Sequence, residues 1–201
     1  MARVEGHVFR YHPCVLRPDL PIRTQRLLLR PFEDGDFEPL FAMQSREDVT
    51  RYLPWSPRSE AEVREILERL KQMTGIHETS ESLRVAGVLP DSGEVVGDFS
   101  LWRRSAEHRL GEIGFVTHPA HQGRGYATEA ARELLRLAFE EAALHRVVAS
   151  ADARNRASVR VMERLGMRQE AHFRENELLK GEWTDEVVYA MLAAEWRAGV
   201  R

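Results

Sequence analysis

GEIGFVTHPAHQGRGYATEAA, residues 111 to 131, changes physical character twice along its length. Glu112 to Thr117 is a short run with β-branched and aromatic residues, which suits a strand. His118 to Tyr126 contains Pro119, Gly123 and Gly125, so the chain turns there and can approach something closely. A helix is predicted from Ala127, because Ala127, Ala130, Ala131, Leu134, Leu135 and Ala138 share one face at the helical period. Two glycines at a strand-to-helix turn let backbone amides converge beside a helix N-terminus. Orphan N–H groups and the positive end of the helix dipole make that an anion cradle, to which Arg124 adds a cation. A dinucleotide fingerprint needs a small residue three places after Gly125, where Thr128 stands, and the Gly-Lys-Ser/Thr of a P-loop is missing. A glycine turn that only starts an amphipathic helix is the plain alternative.

The chain around this stretch has 201 residues, enough for one domain with a sizeable core. A net charge of −3 with 30% charged residues lacks the basic excess of a nucleic-acid binder. The single cysteine, Cys14, rules out an internal disulfide framework and fits a reducing compartment. The opening MARVEGHVFRYHPC has no apolar signal core, and no run reaches membrane-spanning length, so a cytoplasmic location is expected.

Residues 1 to 21 read as an irregular lead-in rich in Arg, His and Pro. Thr24 to Phe32 is a first strand ended near Pro31, and Asp36 is placed to cap a short helix through Phe37, Leu40 and Phe41. Arg51 to Pro57 is a loop. Ser59 with Glu62 makes a capping box for a helix whose stripe is Val63, Ile66, Leu67 and Leu70, with Gly75 as its end. Ser82 to Leu89 and Val95 to Trp102 form a hairpin around Pro90 to Gly93. A charged loop, Arg103 to Arg109, leads into the central stretch. Beyond it come a strand at Arg146 to Ala151, a helix at Asn155 to Leu165 stopped by Gly166, and strands at Met167 to Phe173 and Asp185 to Leu192. The strand, crossover helix and strand at 112–151 imply a parallel pair, and the hairpins imply antiparallel neighbours. A mixed α/β sheet follows.

The segment His121-Gln122-Gly123-Arg124-Gly125-Tyr126-Ala127 resembles the acyl-CoA signature of the GNAT acetyltransferase superfamily, Gln/Arg-x-x-Gly-x-Gly/Ala. The element order is also the GNAT order from about Thr24 to Trp196. Two further stretches resemble the RimJ/RimL-type branch. One is Thr24-Gln25-Arg26-Leu27-Leu28-Leu29-Arg30-Pro31. The other is Asn155-x-x-Ser158-x-x-Val161-Met162-Glu163-x-Leu165-Gly166-Met167, followed by Lys180-Gly181-Glu182-Trp183-Thr184-Asp185. The resemblance implies a GNAT fold: a seven-stranded mixed sheet, its fourth and fifth strands parallel and splayed, flanked by about four helices. It would occupy 24–197, with 1–23 as an N-terminal extension.

What the resemblance implies about chemistry is acetyl transfer from acetyl-CoA to an amine, with no metal. Gln122, Gly123, Arg124, Gly125, Tyr126 and Ala127 would hold the pyrophosphate. Backbone groups of Phe115, Val116 and Thr117 would run along pantetheine, and Asn155 would bond its amides. Asn155 is equally suited to cap the helix that follows it, and the two roles are compatible. Many members carry a tyrosine that protonates the leaving thiolate; Met162 stands at that position, and a thioether cannot donate a proton. In the RimL-type pattern that role falls to Ser158. Glu177 occupies the place of the pattern's general base, expected in a loop after the sixth strand. Glu112 is the position used by other branches, and Glu175 is a neighbour.

Tyr52, Leu53 and Trp55 border the acceptor side in this fold, as candidates for an apolar substrate pocket or equally for packing beneath the sheet. The acidic group Glu175, Glu177, Glu182, Asp185 and Glu186 would attract a cationic acceptor or simply be solvated. His118 and His121 match no metal-site spacing, and Trp183, Tyr189 and Trp196 are expected to pack in the core or at sheet ends. The expected partners are acetyl-CoA and an amine acceptor, a protein N-terminus first among them. Neither nucleic acid nor membrane is expected, and a homodimer is left open. Small-molecule acetylation, of an antibiotic or polyamine, is the alternative within the fold; a non-catalytic acyl-CoA-binding module is the alternative outside enzymes.

Overall fold

A computed structural model describes residues 15–199. Cys14 and the first part of the lead-in lie outside them. The first half of the chain forms β1 (Ile22–Arg23), β2 (Leu28–Arg30), α1 (Phe37–Gln44), α2 (Glu47–Thr50), α3 (Glu60–Gln72), β3 (Thr74–His77) and β4 (Ser80–Val88). Then come β5 (Val95–Ser105), β6 (Leu110–Thr117), α4 (Tyr126–Arg136), β7 (Arg146–Asp152), α5 (Arg156–Arg164), β8 (Arg168–Leu179), β9 (Glu182–Leu192) and α6 (Ala193–Arg197). The strands make one sheet in the order β1-β2-β4-β5-β6-β7-β9-β8, with β3 also paired to β4. All seven expected strands are present, and β1 and β3 are additional. Among the described residues no helix is long and apolar enough to cross a membrane.

The local signals explain most boundaries. Ser59 and Glu62 exchange the reciprocal bonds of a capping box, with the Ser59 amide 2.8 Å from the Glu62 carboxylate. Gly166, at φ +80°, ends α5 in the left-handed conformation that glycine adopts without penalty. Two expectations are corrected. Gly75 does not end α3, which stops at Gln72; it lies inside β3, where Leu16 and Ile76 exchange two backbone hydrogen bonds of 2.8 Å. A Cβ at Gly75 would stand 2.5 Å from the Leu16 carbonyl oxygen, so the bare α-carbon is what lets the two segments meet. Packed structure therefore begins before Thr24. Asp36 is the N-cap residue of α1, but its side chain makes no cap bond: its buried carboxylate receives both Arg30 Nη groups, at 2.7 and 2.8 Å.

Each face of the sheet has its own core. One packs Phe99, Leu101, Ile113 and Val147 against Leu134 and Leu135 of α4 and Met162 of α5. The other packs Ala86 and Val88 against Leu40 and Met43 of α1 and Val63 and Leu67 of α3. Gly75→Ala should lower stability by roughly 1–3 kcal/mol, because a rigid backbone carbonyl must yield to the new methyl. Thermal unfolding checks this; an unchanged midpoint would show that the Leu16 contact carries no weight.

The feature that positions the site is a split in the sheet. β6 and β7 pair in parallel only at Leu110–Arg146, Gly111–Val147 and Glu112–Val148. β6 stays paired to β5 as far as Thr117, and β7 to β9 as far as Asp152. From Ile113 onward the two arms diverge, and the inner edge of β6 presents backbone donors and acceptors without a strand partner. Buried peptide groups require partners, so this edge is built to receive one.

Candidate active site

The cradle closes the end of this V. After Thr117, a 3₁₀ turn at Pro119–His121 is fixed by the His118 amide bonding to the Val96 carbonyl at 2.8 Å. Gly123 and Gly125 follow at φ +75° and +83°, both left-handed, and Gly125 is the N-cap of α4. The free amides of the first turn of α4 thus open onto the groove. Gln122 is exposed, with its side-chain amide 3.4 Å from the Thr117 carbonyl.

One groove joins the end of β6, the signature turn and the start of α5. Phe115, Val116 and Thr117 form one wall, Gln122, Gly123 and Gly125 to Thr128 the end, and Asn155 and Ser158 the other wall. Tyr52 and Leu53 line its opposite end, beside Asp48 and Val49. Asn155 does cap α5: its Oδ1 accepts the Ser158 amide at 3.1 Å. Its Nδ2 has no acceptor among the described residues. Two buried polar atoms of lining residues, His121 Nδ1 and Thr128 Oγ1, also lack a partner among the described residues. Unpaired β6 peptides, a positive helix terminus and orphaned polar atoms fit a ligand with amides at one end and a pyrophosphate at the other. Acetyl-CoA has that chemistry.

Two expected site residues and one expected core residue stand elsewhere. The Arg124 side chain is exposed and does not line the groove; its carbonyl is instead held by Arg26 Nη1 at 3.0 Å. Trp55 packs under the Arg58 guanidinium, 4.6 Å from its ring centroid, outside the groove lining. Trp183, expected in the core, is 61% exposed, because it sits beside Leu178 on the β8–β9 hairpin where no further layer covers the sheet. Tyr189 is buried, and Trp196 packs on Phe139 with its indole bonded to Glu140, both as expected. Met162 is fully buried in the core.

Glu177 lies in β8, not in a loop, opposite Thr184 of β9. The reason is that β8 runs on to Leu179, past a register shift between Phe173 and Glu177. Within that shift Glu175 takes φ +48° and donates its amide to Asp185 at 3.0 Å. Such a bulge re-aims the residues after it. Strand parity then puts four carboxylates on one face: Glu112 opposite Val148, Asp152 opposite Glu186, and Glu177 opposite Thr184. Partial desolvation, followed by the like charges of Glu186, Asp152 and Glu112, raises the Glu177 pKa above the ordinary carboxylate value. Glu112 is ion-paired to Arg104 Nε at 2.5 Å. Arg154 pairs with buried Asp152 and with Glu182 and lies 5.9 Å from the Tyr52 ring. The hairpin turn is tied to the other side of the groove by Lys180 Nζ, 2.6 Å from the Thr50 carbonyl.

Residues that sequence reasoning missed at the groove include Thr128, Arg160, Val161 and Arg164. Ala157, Arg160, Val161 and Arg164 follow the i, i+3, i+4, i+7 spacing of one helix face, so that face was readable once Asn155 and Ser158 were assigned to the groove.

A sheet split beside a strand–glycine turn–helix cradle defines an acyltransferase of the GNAT type. The sequence agrees: residues 26–168 match the family model described as "Acetyltransferase (GNAT) domain", and the chain belongs to this family of acetyl-CoA-dependent N-acetyltransferases. It is 34% identical over 175 residues to the N-acetyltransferase YnaD of Bacillus subtilis, covering 87% of this chain and 98% of that one. It is 27% identical over 187 residues to the [ribosomal protein uS5]-alanine N-acetyltransferase of Escherichia coli, covering 90% and 95%. The crystal structure of a GNAT-family acetyltransferase from Bacillus anthracis superposes with a TM-score of 0.76 at 33% identity, over 87% of this chain and 99% of that one.

Proposed function

We propose that this enzyme acetylates the N-terminal α-amine of a protein or peptide by direct attack in a ternary complex. The observation that carries the reading is the position of Glu177, an exposed carboxylate of raised pKa among three others on the sheet face beside the split. Acetyl-CoA supplies the acetyl group as an activated thioester. The acceptor enters between the Tyr52–Leu53 loop and the β8–β9 hairpin, and the acidic face attracts it as a cation. Glu177 takes the proton that the amine must lose. Peptide groups of Phe115 to Thr117 orient the thioester arm, with the Asn155 Nδ2 on the far wall. The Ser158 hydroxyl passes a proton to the sulfur as the carbon–sulfur bond breaks and the nitrogen–carbon bond forms, and regains one from solvent.

Neutralising an α-amine at pH 7 costs about 1 kcal/mol, whereas a lysine-like amine costs about 4.6 kcal/mol. One solvated carboxylate suffices for the first. The relative named for acetylating an alanine of a ribosomal protein supports the same choice. The clustered carboxylates also suit a polyamine, which makes that the second reading. Mass mapping of products from lysine-blocked peptides, lysine peptides and spermidine separates them. The α-amine should be acetylated at the highest kcat/KM; exclusive modification of spermidine would replace this reading with the second.

Ser158→Ala should lower kcat roughly tenfold or more while leaving acetyl-CoA affinity within about twofold, as expected for a proton donor to the leaving group. Steady-state kinetics beside calorimetry checks this. An unaltered kcat would move the protonation step to water or another residue.

A further inference from the structure

The Thr24-Gln25-Arg26 opening has no part in the chemistry above, yet its side chains reach the cradle across about a hundred residues of sequence. Glu129, in the first turn of α4, receives the Thr24 hydroxyl at 2.7 Å and the Arg26 backbone amide at 2.6 Å on Oε1, and Arg26 Nε at 2.7 Å on Oε2. Arg26 Nη1 continues to the Arg124 carbonyl at 3.0 Å, between the two left-handed glycines. The guanidinium also lies 4.8 Å from the Tyr126 ring centroid, and its Nη2 stands 3.4 Å from where a Cβ of Gly125 would be. A single side chain therefore touches residues 124, 125, 126 and 129, which are the cradle and the helix turn that follows it.

An isolated, half-exposed ion pair contributes little to stability. This one differs in geometry: both carboxylate oxygens are occupied, one guanidinium spans a carboxylate and a backbone carbonyl, and Thr24 fixes the strand end by accepting the Leu27 amide at 3.0 Å. Burial would raise the Glu129 carboxyl, but the hydrogen bonds from Thr24 and Arg26 outweigh it and hold its pKa lowered. Glu129 thus stays ionised and the link stays closed. Holding the Arg124 carbonyl turns that peptide's oxygen outward to Arg26.

We propose that Thr24, Arg26 and Glu129 form a clasp that sets the conformation of the pyrophosphate cradle, with Arg26 and Glu129 acting as positioning residues for the cofactor. The inference rests on the acetyl-CoA reading of the groove. It gives the opening motif a role, since it joins the first strand to the signature turn as one binding unit.

Calorimetry of acetyl-CoA binding to the wild type, Arg26→Ala, Glu129→Gln, the double variant and Arg26→Lys tests it. Each single change should weaken binding about tenfold, and the double variant by clearly less than the product of the two, because the Arg26–Glu129 bond is lost in either single variant. Arg26→Lys should fail like Arg26→Ala, since an ammonium cannot span the carboxylate and the carbonyl together. With acetyl-pantetheine, which lacks the pyrophosphate, kcat/KM should be unchanged in all variants. Wild-type affinity in Arg26→Ala, multiplicative losses in the double variant, or full rescue by lysine would overturn the clasp. So would equal losses with both thioesters, which would mean general damage to the fold. Failure of the cofactor reading itself is separately visible, as absence of acetyl-CoA binding by the wild type.

Discussion

Gly125→Val is expected to weaken acetyl-CoA binding at least a hundredfold while leaving the protein folded. The cause is conformational. Gly125 sits at φ +83°, a region that β-branched residues essentially do not occupy. Space is not the obstacle, because a Cβ there meets only Arg26 Nη2 at 3.4 Å. Valine would make the loop abandon its left-handed turn, and the amides at the start of α4 would lose their alignment. Hydrogen bonds to charged groups contribute about 1.5–3 kcal/mol each. Losing two of them costs roughly 3–6 kcal/mol, which is a factor of about a hundred to ten thousand in affinity. Calorimetry with acetyl-CoA, beside a thermal melt, reads both quantities. Undiminished affinity would remove the cradle from the account.

Glu177→Gln should lower kcat about a hundredfold, within the range that a positioned acid or base supplies, with acetyl-CoA affinity nearly intact. Glutamine keeps the shape and removes the proton acceptor. Because the native pKa is raised above its unfolded value, keeping Glu177 ionised costs the fold some stability above that pKa. The glutamine variant should therefore be at least as stable as the wild type at neutral pH, so that unfolding cannot explain the lost turnover. The same shift fixes a pH effect. A base must be ionised, so turnover should fall as pH drops through the raised Glu177 pKa. Glu186→Gln removes one of the like charges and should move that loss to lower pH. Wild-type turnover in Glu177→Gln would transfer the role to Glu112, which would first have to part from Arg104.

Much of the fold was legible because its signals are local. The glycines at 123 and 125, the capping box at Ser59 and Glu62, and the stop at Gly166 act on their own neighbours, and the structure places them as read. The parts that were not legible depend on distant segments. Gly75 reads as a helix end until Leu16, some sixty residues earlier, is laid against β3. Asp36 has the chemistry of a cap, but the bidentate approach of Arg30 claims it. Arg124 reads as a cradle cation, yet its peptide carbonyl is the group with a partner. For the site, Phe115 to Thr117, Asn155 and Ser158 were found together in the groove, whereas Trp55 was not. Glu177 reads as a loop residue because nothing in Arg174 to Asn176 announces a bulge that carries a strand onward.

The most direct test of the central claim is the release of free CoA from acetyl-CoA by the wild-type enzyme, followed by thiol detection, with a lysine-blocked peptide bearing a free N-terminus. The account predicts steady release that requires both acetyl-CoA and the free α-amine, and that stops when the N-terminus is blocked. Acetyl-CoA binding with no release against peptides or small amines would contradict it and leave a module that holds the cofactor without using it.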